Sequence, residues 1–251
     1  MIQAVLFDLG GTLHVPRNSP ERRVWFAKRV IDRLGDYGIR LETTPEALAE
    51  TMAINAEIYK HETEESLREL PPEVFWNDYL LKEFGIGRER LRPMAEELSF
   101  LYDYERPCNM RRPHLIECME GLKAQGVRMG VISNIVSRTI VPHLMAEYEL
   151  EQYMECVITS AGTGVRKPSA EIFRIAERAM GLEPSELAYV GDTISRDVRG
   201  VRNAGWRMMI QIENPLIAHR DAGLENAGFA PDYLIHDLVE VPEIIARDRN
   251  Q

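Results

Sequence analysis

A carboxylate stands at position 8 of the chain, where an apolar run meets two glycines. The run Ala4–Phe7 is apolar and rich in β-forming residues, Asp8 follows it, and Gly10 and Gly11 come next. A buried strand over this run would place the Asp8 carboxylate at its carboxyl end, the edge where open α/β sheets bind ligands. An aspartate there can act as a nucleophile and form a covalent intermediate. By itself, the segment is equally typical of a strand followed by a Gly-Gly turn.

Three further blocks repeat the pattern of an apolar run that leads directly into polar residues. They cover residues 129–134, 164–168 and 187–205. Their polar residues include Ser133, Asn134, Lys167, Asp192 and Asp197. Hydroxyl and amide groups donate hydrogen bonds, an ammonium neutralises anionic oxygens, and carboxylates bind a hard divalent cation.

The first block resembles the first motif of the haloacid dehalogenase-like hydrolase superfamily. That motif reads Asp-x-Asp-Gly-Thr. Asp8, Gly11 and Thr12 match it, and Gly10 stands where the second Asp would be.

The other three blocks resemble the remaining motifs of the same family, in the same order. Ser133 matches the Ser or Thr of the second motif, and Lys167 matches the lysine of the third. Asp192 and Asp197 match the acidic pair of the fourth. Each match alone is weak, because Ser-Asn turns and Lys-Pro helix entries are common. The complete series, spread over most of the chain, is what indicates the family.

The resemblance implies a magnesium-dependent phosphatase of a small phosphomonoester, working through an aspartyl-phosphate. The implied catalytic residues are Asp8, as nucleophile, and Lys167. The implied phosphate-binding residues are Gly11, Ser133, Asn134 and Lys167. The implied magnesium ligands are Asp8, the backbone carbonyl of Gly10, and Asp192, with Thr12 and Asp197 supporting the groups that touch substrate or metal.

Gly10 removes the general acid and base that the family places on the second Asp. Such a group typically contributes about 10²–10⁴-fold in rate. A metal-bound water, a good leaving group or a nearby titratable side chain can replace it, and His14 is the candidate nearest in sequence. The alternative interpretation of His14, a solvent-facing histidine in a linker, is the one we favour from the sequence.

Two other functions follow from the same residues: a catalytically weak member that binds a phosphorylated ligand or a protein partner, and a 2-haloacid dehalogenase. The dehalogenase ranks lower because Asp192 preserves a metal carboxylate that carbon–halogen displacement does not need.

A long insertion separates the first two motifs. Residues 15–108 show helical periodicity over 21–34, 45–60, 72–84 and 89–102. Prolines at 16, 20, 107 and 113 mark its ends as linkers. We therefore expect a helical cap over residues 15–108 and an α/β hydrolase core formed by residues 1–14 and 109–251. Aromatic pairs at 25–26 and 75–76 can line a substrate pocket, although packing between helices is the commoner role.

Strand and helix patterns alternate after the insertion. Helices are expected over residues 114–125, 138–147, 169–180, 197–204 and 239–247, and strands over 128–132, 156–159, 187–190, 207–212 and 233–235. Such alternation favours a mostly parallel sheet covered on both faces. The predicted fold class is α/β, a Rossmann-like core with an inserted helical cap.

Composition limits the possible partners. The net charge is −10, from 30 Lys and Arg against 40 Asp and Glu, which argues against a nucleic-acid surface. No run approaches the ~18 apolar residues of a membrane span. The three cysteines are widely spaced and suggest neither a disulfide framework nor a zinc motif. A small phosphorylated metabolite and a cytoplasmic location are expected, and the oligomeric state stays open.

Overall fold

The computed structural model describes residues 1–217, 221–224 and 228–249. The remaining positions of the predicted core segment 109–251 lie outside the described residues. The strands are β1 (Ala4–Phe7), β2 (His14–Arg17), β3 (Cys108–Arg111), β4 (Arg128–Ser133), β5 (Met154–Thr159), β6 (Leu187–Gly191), β7 (Met208–Ile212) and β8 (Tyr233–Ile235). Six of them form one parallel sheet in the order β5-β4-β1-β6-β7-β8, and β2 pairs with β3 in antiparallel fashion.

The central strand β1 explains why the sheet is buried on both faces. All four of its side chains are buried. Because side chains alternate along a strand, Val5 and Phe7 join the hydrophobic cluster on one face, and Ala4 and Leu6 join the cluster on the other. A parallel sheet covered on both sides produces such an uninterrupted apolar run. The predicted α/β fold class is confirmed.

The helices follow the predicted positions closely. They are α1 (Pro20–Asp36), α2 (Pro45–Ser66), α3 (Pro72–Val74), α4 (Arg88–Tyr104), α5 (Leu115–Ala124), α6 (Ile140–Glu147), α7 (Ser160–Thr163), α8 (Ala170–Met180), α9 (Arg199–Ala204) and α10 (Glu240–Arg249). Ser19 and Thr44 cap α1 and α2, because each side chain accepts a backbone N–H three residues later and a proline opens the helix.

Two predicted helices are broken in the structure. Over residues 72–84, α3 passes into a π-helical turn at Phe75–Leu80 and a 3₁₀ turn at Lys82–Phe84. Phe75, Trp76 and Leu80 are all buried in this stretch, so tertiary packing outweighs regular helix geometry. A second π-helical turn, Ile194–Val198, precedes α9.

The helices of the insertion have a hydrophobic core of their own. Phe26, Met52, Trp76 and Leu98 are among its buried members. The β2–β3 pair lies at the ends of the insertion, across both predicted boundaries, and was not expected from the prolines there. The division into residues 15–108 and the rest therefore stays a prediction, which this separate core supports. None of the described helices is long and apolar enough to cross a bilayer.

Candidate active site

The predicted site residues converge at the carboxyl edge of the parallel sheet. Asp8 follows β1, Ser133 ends β4, and Asp192 follows β6. Lys167 lies between α7 and α8, and Asp197 lies in the π-helical turn before α9. All five side chains are buried.

Lys167 is the centre of a buried charge network. Its Nζ donates hydrogen bonds to Asp8 Oδ1 at 2.7 Å, to Asp197 Oδ1 at 2.7 Å and to the Tyr189 hydroxyl at 2.8 Å. A lysine ammonium has three protons, and all three are used here. The ammonium is therefore fixed beside Asp8, where it can neutralise an incoming anion.

Both oxygens of Asp197 are committed within the protein. Oδ1 accepts from Lys167, and Oδ2 accepts from the backbone N–H and the hydroxyl of Thr193 at 3.0 and 2.6 Å. Asn134 holds Lys167 from the other side: its side-chain amide donates to the Lys167 carbonyl at 3.0 Å and accepts from the Lys167 N–H at 2.8 Å. A phosphate contact from Asn134 would thus come from its backbone, and this role stays a prediction.

Asp192 offers the open ligand position of the site. Its Oδ2 accepts from Asn214 Nδ2 at 2.8 Å, whereas its buried Oδ1 has no hydrogen-bond partner among the described residues. Carboxylate oxygens of Asp8, Asp192 and Asp197 lie within 4.8 Å of one another. An orphaned anionic oxygen in a buried cluster of carboxylates fits a hard divalent cation.

The carboxylates differ in their titration. Burial, with the charges of Asp8 and Asp197 added, raises the pKa of Asp192 to about 7. Burial also raises the pKa of Asp8, although Lys167 opposes it. Burial alone would raise the pKa of Asp197 as well, but Lys167 and Arg196 outweigh it and lower that pKa. Asp8 and Asp192 are therefore the carboxylates that a bound cation would relieve most.

Gly11 allows Asp192 to approach the loop after β1. Its φ is +102°, and a Cβ at this position would lie 1.7 Å from Asp192 Oδ2. The Gly11 N–H donates to the His14 carbonyl at 2.6 Å, so it already has a partner, and its predicted phosphate contact stays a prediction. Thr12, next in the chain, is fully buried.

His14 is not the solvent-facing residue that we favoured from the sequence. His14 is the first residue of β2, and its side chain is buried. Its Nδ1 lies 3.3 Å from the Tyr148 hydroxyl. A Cβ on Gly10 would lie 3.9 Å from His14 Nε2, so the imidazole borders the space that the family's second Asp would enter. Burial lowers the pKa of His14 to about 4. The β2–β3 pairing buries it, and the sequence interpretation of this segment as a linker missed that pairing.

Comparison with known proteins identifies the family. The sequence model of the haloacid dehalogenase-like hydrolases matches residues 2–205. The chain belongs to this hydrolase family. Its sequence is similar to that of a glyceraldehyde 3-phosphate phosphatase from Methanopyrus kandleri, with 26% identity over 99% of this chain and 100% of the relative.

Solved structures of other proteins share the fold. A HAD phosphatase from Thermococcus onnurineus superposes with a TM-score of 0.62 at 24% identity, over 97% of this chain and 98% of its own. A 2-haloacid dehalogenase from Pseudomonas syringae superposes with a TM-score of 0.64 at 22% identity, over 98% and 99%. At these identities the likeness shows the fold alone. Because both a phosphatase and a dehalogenase share it, the side chains of the site have to distinguish the reactions.

Two cavities that share lining residues adjoin the hydrolase site. A cavity of about 70 Å³ is bordered by Asp8, Gly10, Ser133 and Lys167 on the sheet side and by Asp103 of α4 on the helical side. A larger cavity of about 500 Å³ extends along the insertion. Residues that line both cavities include Gly10, His14, Asp103, Asn134 and Arg196.

Sequence reasoning missed Tyr189 and Asn214, which hold Lys167 and Asp192 in the site. Tyr189 donates its hydroxyl proton to the Ile132 carbonyl at 2.8 Å and accepts from Lys167. A tyrosine inside the otherwise apolar strand β6 was the available signal, because a buried hydroxyl needs a partner. Asn214, which binds Asp192, follows β7 in a segment that resembles no family motif, and nothing local marks it.

Proposed function

We propose that the chain is a magnesium-dependent phosphomonoester hydrolase that forms an aspartyl-phosphate on Asp8. The observation that carries this proposal is the pairing of a nucleophile with two sources of positive charge. Lys167 binds one oxygen of Asp8, and the orphaned Asp192 Oδ1 offers a cation site a few ångströms away. The name of the full-length relative, glyceraldehyde 3-phosphate phosphatase, supports a small phosphorylated substrate.

The residues divide the work of phosphoryl transfer. Asp8 Oδ1 is held by Lys167, which leaves the second oxygen to attack phosphorus. The Lys167 ammonium lies where it offsets repulsion between the carboxylate and the phosphate. Ser133 and the backbone of Asn134 line the same cavity and can donate to phosphoryl oxygens. Asp197 and Tyr189 keep Lys167 in place.

Magnesium fits the donors that the site offers. Asp8, Asp192 and the Gly10 carbonyl would hold it, since Mg²⁺ prefers oxygen ligands and binds through one or two carboxylates plus substrate phosphate. Asp197 is the poorer ligand because both of its oxygens have partners within the protein. When bound, the ion supplies Lewis-acid polarisation of the phosphoryl group.

Turnover of a panel of small phosphomonoesters, with magnesium and with a chelator, tests the proposal. We expect phosphate release that requires magnesium and disappears in Asp8→Asn. Binding of phosphorylated ligands without turnover would instead favour the catalytically weak member that Gly10 suggests. Halide release from a 2-haloacid without metal would favour the dehalogenase, a fold relative of this chain.

The proposed activity indicates which substrate, partners and cellular location we expect for the protein. The cavity of about 70 Å³ beside Asp8 can receive a phosphoryl group, and the cavity of about 500 Å³ that shares lining residues with it has room for the rest of a small metabolite. The acidic net charge argues against a nucleic-acid partner. The three free cysteines support the reducing cytoplasm as the location.

A further inference from the structure

Asp103 reaches from the helical insertion to the catalytic edge of the sheet. It lies in the last turn of α4, and its Oδ2 accepts the backbone N–H groups of Val136 and Ser137 at 3.2 and 2.9 Å. These two N–H groups belong to the loop that follows β4 and the predicted phosphate-binding residues. Asp103 also lines the 70 Å³ cavity that Asp8 and Gly10 line. Asp103 and the nucleophile Asp8 therefore border one common space, which can receive a phosphoryl group.

The surroundings of Asp103 set its proton affinity. The charged groups that act on its carboxyl group are Arg106 and Glu69. The cavity that Asp103 borders is also lined by the titratable or charged residues Asp8, His14, Lys167 and Arg196. Burial is the largest influence and raises the pKa of Asp103 to about 7, although the two backbone N–H groups and Arg106 act in the opposite direction. A carboxyl group with a pKa near the working pH exchanges protons efficiently in both directions.

We propose that Asp103 is the catalytic acid and base of this hydrolase and performs the proton transfer that Gly10 cannot. This inference rests on the proposed function of the site. It assigns to the helical insertion a role that the family places in the loop after β1.

Hydrolysis takes place in two steps. An oxygen of Asp8 bonds to phosphorus while the bond from phosphorus to the ester oxygen breaks, and the Asp103 carboxylic acid gives its proton to that departing oxygen. An alcohol leaves, and Asp103 becomes a carboxylate. This carboxylate then takes a proton from water as the water oxygen bonds to phosphorus and the bond from phosphorus to Asp8 breaks. Hydrogen phosphate leaves, and both carboxyl groups regain their starting states.

His14 lies nearer to the space beside Gly10 but is poorly suited to the first step. With its pKa lowered to about 4, the imidazole is neutral at neutral pH and has no readily released proton for a departing oxygen. Lys167 is equally unsuited, because its three protons are engaged with Asp8, Asp197 and Tyr189.

Asp103→Asn tests the proposal when two classes of ester are compared. An alkyl phosphomonoester has a poor leaving group and needs the proton, whereas an activated aryl phosphomonoester does not. We expect kcat/KM for the alkyl ester to fall by about 10²–10⁴-fold. The aryl ester should keep its kcat/KM and show a rapid burst of phenol release, followed by slow steady-state turnover, because water attack on the phosphoenzyme still needs the base. An unchanged ratio of kcat/KM for the alkyl ester to kcat/KM for the aryl ester would overturn the proposal.

Glu96→Gln is the matched control for a purely structural role. Glu96 also lies on α4 and also holds the loop after β4, since its Oε1 accepts the N–H groups of Arg138 and Thr139 at 2.8 and 3.2 Å. It borders neither cavity. We expect Glu96→Gln to leave the alkyl-to-aryl ratio unchanged. If kcat/KM falls equally for both esters in Asp103→Asn and in Glu96→Gln, Asp103 only holds the loop.

A pH profile of the wild-type protein tests the proposal without any variant. Asp103 has to be protonated for the first step, so kcat/KM for the alkyl ester should fall as the pH rises through about 7, while the aryl ester should lack this decline. Parallel profiles would overturn the assignment.

Restoration of alkyl turnover by Gly10→Asp in the Asp103→Asn protein would support it. If the wild type shows no magnesium-dependent turnover, the proposed function and this inference are overturned together. If the wild type turns over normally and the ratio of kcat/KM for the two esters is unchanged in Asp103→Asn, only this inference is overturned.

Discussion

The two walls of the active-site cavity are built in different ways. On the sheet side, Lys167 binds Asp8 and Asp197 at 2.7 Å, and all three side chains are buried at the carboxyl edge of the parallel sheet. On the helical side, Phe26, Met52 and Phe75 line the larger cavity, and Asp103 accepts two backbone N–H groups of the loop after β4. In the mechanism that we propose, the sheet side provides the nucleophile that attacks phosphorus. The helical side provides the group that transfers the proton and the residues that contact the rest of the substrate.

The largest effect is expected on the sheet side, from Asp8→Asn. The substitution keeps the shape of the side chain but removes the nucleophile, so phosphatase turnover should fall by roughly 10⁴-fold or more. Steady-state phosphate release checks this. Asp32→Asn, at an exposed position of α1, is the control and should be neutral. Wild-type turnover in Asp8→Asn would show that the sheet side does not supply the nucleophile.

Asp192→Asn should separate metal binding from folding. Burial and neighbouring carboxylates raise the pKa of Asp192 to about 7, so at pH 8 its ionised form destabilises the metal-free fold. The amide removes that charge, and we expect the free energy of unfolding without metal to rise by about 1 kcal/mol. Magnesium should raise the Tm of the wild type but not of this variant. An equal magnesium-induced shift in both proteins would exclude Asp192 as a ligand.

His14 should make the protein sensitive to acid. Its folded-state pKa of about 4 lies below its ordinary value, so the unfolded chain binds the proton first as the pH falls. The contribution of His14 to stability is complete above pH ~6.5 and is lost toward pH ~4, an effect of about 3 kcal/mol. Urea unfolding between these limits should show a shallower decline for His14→Gln than for the wild type. The exposed His61 provides the control substitution His61→Gln, and a matching decline in His14→Gln would contradict the burial of His14.

The smallest effect is expected from Gly10→Asp in the otherwise wild-type protein. A Cβ at Gly10 meets His14 Nε2 at an ordinary contact distance of 3.9 Å, so the side chain can be accommodated. If the helical side already supplies the proton, alkyl-ester turnover should gain no more than about 10-fold, below the usual contribution of a general acid. A gain of several hundred-fold would mean that no acid operates in the native site.

The sequence predicted the sheet side far better than the helical side. Asp8, Lys167, Asp192 and Asp197 lie in short motifs at strand ends, and parallel strands bring such ends together whatever the intervening chain does. Tyr189 and Asn214 reach the site only through packing and pairing with distant segments. Their contacts with Lys167 and Asp192 have no local pattern.

The helical side depends on long-range geometry that periodicity does not contain. Helical periodicity located α4 to within a few residues, but the contact between Asp103 and the loop after β4 joins positions more than 30 residues apart. The same applies to His14, whose burial follows from pairing of β2 with β3 across the whole insertion. Two prolines in or beside these strands favoured a linker, and the pairing outweighed that local signal.

The aspartyl-phosphate mechanism is tested by locating the phosphoryl group on the enzyme. The protein is mixed with magnesium and an activated aryl phosphate, quenched in acid within the first turnover, and digested for mass spectrometry. We expect phosphate on Asp8, in a quantity that rises in Asp103→Asn because hydrolysis of the intermediate is slowed. Phosphate on a different residue, or steady turnover with no phosphoenzyme in either protein, would contradict it.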